Sequence, residues 1–168
     1  MKNIVVTKPG KYEIKLQLSK EGERLEWLGV VDAREAGEYE INLVMTHLVP
    51  NTFGRVVIRG VAENGARVKI KGLVRIEKSA QETDSFLSMK VLLLDKKSGA
   101  TAEPELEILA NRVKASHAAS VGKIDEEQLF YLKSRGIYET EAKKIIIKGF
   151  LNEGEKKVTR LYSDTVTQ

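Results

Sequence analysis

The 168-residue chain contains no cysteine. A disulfide, a thiolate nucleophile, a Cys-ligated zinc or a Cys-held metal cluster is therefore excluded within the chain itself. It also lacks a long basic block. Its 28 Lys and Arg are interspersed with 24 Asp and Glu, giving a net charge of only +4. A nucleic-acid binder clusters its basic residues on one stripe, so nucleic acid is not the expected partner. There is no Gly-rich phosphate loop and no G-x-S-x-G elbow, which argues against ATP binding and serine hydrolysis. The opening MKNIVVTKPGKYEIK has no apolar core and no stretch reaches membrane-spanning length. A soluble, cytoplasmic protein without membrane contact is the expectation.

What is present suits one domain with a small appendage. A 42% hydrophobic fraction supplies a core, and 31% charge supplies a solvated surface. Up to about Ala110 the pattern is β. Tyr12, Ile14, Leu16 and Leu18 alternate with Glu13, Lys15 and Gln17. Leu25 and Trp27, then Tyr39, Ile41, Leu43 and Met45, then Leu106 and Ile108 continue the period of two. Turn signals at Pro9-Gly10, Glu21-Gly22, Ala36-Gly37, Asn64-Gly65 and Ser98-Gly99 separate the runs. After Gly72 the apolar positions change from Val68 and Ile70 to Leu73, Val74 and Ile76. A phase slip at a glycine predicts a bulge or corner there. No strict internal repeat is visible, and strands spaced about 8–12 residues apart suggest a sandwich or barrel by pattern alone.

From Asp125 the pattern turns helical. Asp125 is a candidate N-cap, with Gln128 placed to complete a capping box. Glu126 and Glu127 open the helix, Lys133 and Arg135 close it, and Gly136 supplies a left-handed stop. A second helix is expected over about Thr140 to Lys148, with Ala142, Ile145, Ile146 and Phe150 on one stripe. A short third helix is expected from Glu155 to Tyr162, carrying Val158, Leu161 and Tyr162, before a frayed SDTVTQ end. The expected division is a β core over 1–124 and a helical segment over 125–168.

Few residues suggest chemistry. His47 lies in THLVPNTFG and is read as structural. Ser116 and His117 are neighbours in a strand-like segment, so their side chains point to opposite faces and make no catalytic pair. Glu77, Glu82 and Asp84 form a loose acidic set around a turn, and solvation explains them better than catalysis. A carbohydrate-acting enzyme using Asp84 and Glu82 ranks last among the readings. No catalytic residue is assigned.

From about Met45 to Phe150 the chain resembles the carboxyl-terminal core of the SufB/SufD family of iron–sulfur cluster assembly scaffolds. The resemblance rests on THLVPNTFG, VKIKGLVRIEKSAQETDSF, VLLLD, PELEILANRVKASHAASVGKID and EEQLFYLKSRGI, which occur in family order. It implies a right-handed parallel β-helix followed by a small helical segment. It implies a dimer formed through the β-helix, either with a SufB-like partner or with a second copy. It also implies docking of a SufC-like ABC ATPase through the helices. On this chain the docking set would be Gln128, Leu129, Phe130, Tyr131, Lys133, Arg135, Ile145, Ile146 and Phe150. The chain departs from the family at its cluster-associated positions. The SufD-branch cysteine is replaced by Ala115 and the SufB-branch glutamate by Ala118, leaving His117. His117 is thus the candidate metal and cofactor contact, for a transient iron–sulfur cluster at a dimer interface. A non-enzymatic, SufD-like scaffold or accessory component is the leading expectation, and a stand-alone β-solenoid binding or structural module is the alternative. In either case the helical residues are expected in part to cap the open end of the solenoid.

Overall fold

The computed structural model describes the backbone from Lys2 to Ser163, with side chains over residues 4–152. The period-two runs become strands β1 (Lys2–Val6), β2 (Gly10–Leu18), β3 (Arg24–Ala33), β4 (Glu38–His47), β5 (Phe53–Ala62), β6 (Arg67–Ile76), β7 (Thr83–Leu93), β8 (Gly99–Ile108) and β9 (Val113–Lys123). They alternate between two sheets. Sheet 1 is ordered β1-β3-β5-β7-β9 and sheet 2 β2-β4-β6-β8, and every pairing is parallel. The chain thus winds as a parallel β-solenoid of about four turns, not the sandwich or barrel that strand spacing alone suggests.

The alternation builds the core. Inward residues of the two sheets, among them Leu18, Trp27, Ile41, Leu43, Met45, Val56, Ile58, Ile70, Leu87 and Met89, merge into one buried cluster. Stacking in register puts like positions of successive turns side by side: Ile41 pairs with Ile70, and Ile70 with Ala102. The expected corner at Gly72 is absent. Val68, Ile70, Gly72, Val74 and Ile76 all face inward along an unbroken β6. Gly72 is there for space: a Cβ would meet Leu87 Cδ2 at 2.7 Å. The apparent slip came from Leu73, which points outward and pairs with the outward Val44 of β4. The real corners lie between strands, where Asn51, Asn64 and Glu82 adopt positive φ.

Two helices follow, α1 (Glu126–Ser134) and α2 (Glu139–Ser163). The second and third helices expected from the sequence are one continuous element. Gly149 and the Asn-Glu-Gly segment over 152–154 weaken a helix without breaking it. Val158, Leu161 and Tyr162 lie in its backbone but outside the described side chains, and residues 164–168 lie outside the described residues. Among the described residues the helices leave the end of the solenoid open. α2 packs along the outer face of sheet 1, against β3 and β5. There Ala142 and Ile147 are buried, and Leu28 and Val57 form a second small apolar cluster with Val30. The expectation that the helical segment covers the last turn is corrected by this placement. Among the described residues no helix is long and apolar enough to cross a membrane.

Candidate functional site

Two places gather the candidate residues. The first is the helical face. Asp125 caps α1 as expected, its Oδ1 accepting from the backbone N–H of Glu127 at 2.9 Å and of Gln128 at 3.4 Å. At the other end Gly136 sits at φ +84°, Gly136 N–H donates to Lys133 C=O, and Ile137 N–H donates to Leu132 C=O. That is a Schellman stop, legible in the sequence as Arg-Gly-Ile. The link between the helices is electrostatic. Lys133 Nζ donates to Glu139 Oε2 at 2.8 Å, and Lys143 Nζ lies 2.8 Å from Glu139 Oε1. Bonds from these two lysines hold the Glu139 carboxyl down at about 2. Lys133 is therefore committed to joining α1 to α2, and Arg135 lies over the Tyr131 ring at 5.4 Å.

Between α1, α2 and the end of β9 lies a groove of about 690 Å³. Of the nine residues assigned to docking, Gln128, Tyr131, Ile145, Ile146 and Phe150 line it. Leu129, Phe130, Lys133 and Arg135 do not. Leu92, Ile124 and Gly149 also line the groove and had no signal in the sequence. No residue of α1 is buried. Phe130, at 73% exposed, stands in solvent with Tyr131, Tyr138 and Ile145. Tyr138 escaped the sequence reading because it falls in the link between two helical patterns.

The second place is the open end of the solenoid, formed by β8 and β9. Their inward-facing residues have no further turn above them. Ile108 and Val121 are inward by register yet 41% and 40% exposed. His117 pairs with the fully buried Leu87 and shares its face, but is itself exposed. Ser116 lies on the opposite face, as expected. Among the described residues no group of three or more His, Cys, Asp or Glu side chains is placed to hold a metal ion. His117 alone does not make a metal site.

Elsewhere the candidate carboxylates are neutralised one by one. Asp84 pairs with Arg55 at 3.0 Å, Glu77 with Arg75 at 2.7 Å and Glu82 with Arg112 at 3.0 Å. His47 is fully buried at the end of β4. Its Nδ1 lies 2.8 Å from Thr52 Oγ1 and its Nε2 3.1 Å from Ser85 Oγ, while Thr52 Oγ1 lies 2.9 Å from Thr83 Oγ1. Burial lowers its pKa to about 4, so the ring is neutral and both nitrogens are engaged.

Comparisons with known proteins agree on one family. The model of the SUF system FeS cluster assembly SufBD core domain matches residues 8–150. Iron-sulfur cluster assembly protein SufB of Bacillus subtilis is 34% identical over 146 residues, covering 87% of this chain and 31% of that protein. An iron-sulfur cluster assembly SufBD family protein of Mycobacterium bovis is 36% identical over 138 residues, 82% of this chain and 16% of that protein. One from Staphylococcus aureus is 32% identical over 143 residues, 85% and 31% respectively. The chain thus spans less than a third of the length of each of these relatives.

Proposed function

Because the chain belongs to the SufBD family of iron–sulfur cluster assembly proteins, we propose that it serves that assembly as a non-enzymatic scaffold or accessory component that docks a SufC-type ATPase through α1 and α2. The observation that carries this reading is the exposure of two aromatic side chains of α1, Tyr131 lining the groove and Phe130 outside it. A nine-residue helix with no buried residue gains nothing from keeping Phe130 and Tyr131 in water, unless a partner covers them. The apolar groove beside them, closed by Ile145, Ile146 and Phe150, fits a helix or loop of that partner.

The open end of the solenoid supports the second half of the proposal. The chain joins a SufB-like partner or a second copy there, and His117 is the residue it brings to a cluster carried as cargo. Imidazole is a competent iron ligand, and the companion chain supplies the remainder. Titration calorimetry with a SufC-type ATPase tests the docking. Binding in the micromolar range, weakened at least about tenfold by Phe130→Ala with Tyr131→Ala, is the expected result. No interaction at micromolar concentration would sink the docking reading. Anaerobic reconstitution with iron and sulfide on the assembled pair tests the cargo: a visible absorption spectrum unaltered by His117→Ala removes His117 as a ligand.

A further inference from the structure

Two arginines of β5 point outward from sheet 1, and they are treated differently. Arg55 is partly exposed, pairs with Asp84 at 3.0 Å and lies over the rings of Phe53 and Phe86. Arg59, four residues on in the same outward row, is 1% exposed. Among the described residues it is the one Lys, Arg, Asp or Glu side chain that is buried. Taking a guanidinium out of water is costly, and a leucine in its place would be cheaper to cover. α2 already has an apolar seat on β3 and β5 in Leu28, Val30 and Val57. Seating the helix therefore does not call for an arginine.

Its neighbours give the side chain a direction. In the ladder Arg59 stands between Val30 of β3 and Lys90 of β7. Val30 has no polar atom in its side chain and Lys90 is a like charge, so neither draws the guanidinium along the sheet. On α2 the ring of Phe150 lies over Arg59, its centroid 5.5 Å from Cζ. A guanidinium is attracted to the face of an aromatic ring, and more strongly where water is excluded. The contact therefore fixes the ring as well as the helix that carries it.

Phe150 is also a wall of the groove between α1, α2 and β9. The residue before it, Gly149, lines the same groove and puts no side chain into it. Leu92, Ile124, Tyr131 and Ile146 make the lining largely apolar. An apolar groove standing in water favours being filled by its own walls, because a ring that turns inward removes apolar area from solvent. A ring held on Arg59 stays in the wall, and the space is left for an incoming side chain.

We propose that Arg59 is the positioning residue of this groove. From beneath α2 it holds Phe150 out of the groove and so keeps the groove open for an apolar side chain of the partner, without touching the partner itself. The proposal rests on docking of a SufC-type ATPase at α1 and α2, and adds the residue that prepares the site.

The first test needs no partner. In nuclear Overhauser spectra of the free chain, the Phe150 ring is expected to contact the Arg59 side chain. In Arg59→Leu the ring is expected to gain contacts with Tyr131 across the groove. Arg59→Lys keeps the charge without the planar face, is expected to show the same gain, and serves if the leucine variant does not fold. The second test is titration calorimetry with a SufC-type ATPase. Arg59→Leu is expected to weaken binding at least about fivefold. Phe150→Leu is expected to weaken it too, and the double variant to bind no more weakly than Phe150→Leu alone, because the arginine acts through the ring. An arginine that merely seated α2 would add its own loss to that of Phe150→Leu. Ring contacts unchanged in the Arg59 variants overturn the proposal, and so do additive losses in the double variant. An ATPase that fails to bind the wild type removes the docking reading, and the ring contacts of the free chain then decide the role of Arg59 by themselves.

Discussion

His47 and His117 are both inward-facing residues of solenoid strands, and their surroundings are opposite. His47, between middle turns, is sealed among Thr52, Ser85, Met45 and Gly54, with both ring nitrogens in contact with hydroxyls. His117, in the last turn, keeps the inward orientation and stands exposed. In a solenoid, the face decides which residues belong to the core, and position along the axis decides whether they are buried. The middle turns are therefore where the stability resides, and the last turn is where a polar, ligand-capable side chain remains accessible.

Deleting the same atoms in both regions should have very different costs. Ile70 is 0% exposed between β4 and β8, whereas Ile108, inward at the end of β8, is 41% exposed. Ile70→Ala is expected to cost about 4 kcal/mol, transfer and cavity together. Ile108→Ala is expected to cost about 1 kcal/mol, because the side chain is already wet. Urea denaturation measures both. Equal losses would mean that the last turn is as tightly packed as the middle ones.

The second test uses pH. The His47 ring titrates near 4 in the folded chain and near 6.5 unfolded, because burial disfavours its charged form. Between those values the unfolded state binds the additional proton. This contribution is therefore whole above about pH 6.5 and is lost as the pH falls toward 4, reaching about 3 kcal/mol. His47→Gln, though less stable at neutral pH, is expected to flatten this slope. A slope surviving His47→Gln would place the titration elsewhere.

Much of this was legible in the sequence, and the failures have physical causes. Strict alternation marked the inward faces of β2, β4 and β6, because a half-buried strand with a wet outer face admits no other pattern. The solenoid itself left no visible repeat because its turns differ in length. Lys2 pairs with Trp27, Gly10 with Tyr39 and Arg67 with Gly99, steps of 25, 29 and 32 residues. Stacking needs registered strands, and the corners are free to vary. Gly72 misled because an outward apolar pair, Val44 and Leu73, mimics a change of phase. At the helices, local signals located Asp125 and Gly136 correctly, since caps are local chemistry. They could not reveal that α2 lies along sheet 1, because that depends on Leu28 and Val57, which read as ordinary strand residues.

The smallest expected effect separates the helical face from the solenoid. Asp125 is the first residue after the strands to hold α1 in place, and its side chain satisfies two N–H groups that the helix cannot satisfy itself. Asp125→Ala is expected to cost about 1 kcal/mol, and to cost it locally. α1 buries no residue, so its loss leaves the main core intact. Trp27, the single tryptophan, lies 5% exposed in β3 and reports that core. Its fluorescence midpoint in urea should be nearly unchanged, while amide exchange between Glu127 and Leu132 accelerates and affinity for a SufC-type ATPase falls. A shift of the tryptophan midpoint as large as that of Ile70→Ala would show that α1 and the solenoid unfold as one unit. The groove would then be part of the structural core, not a face kept ready for a partner.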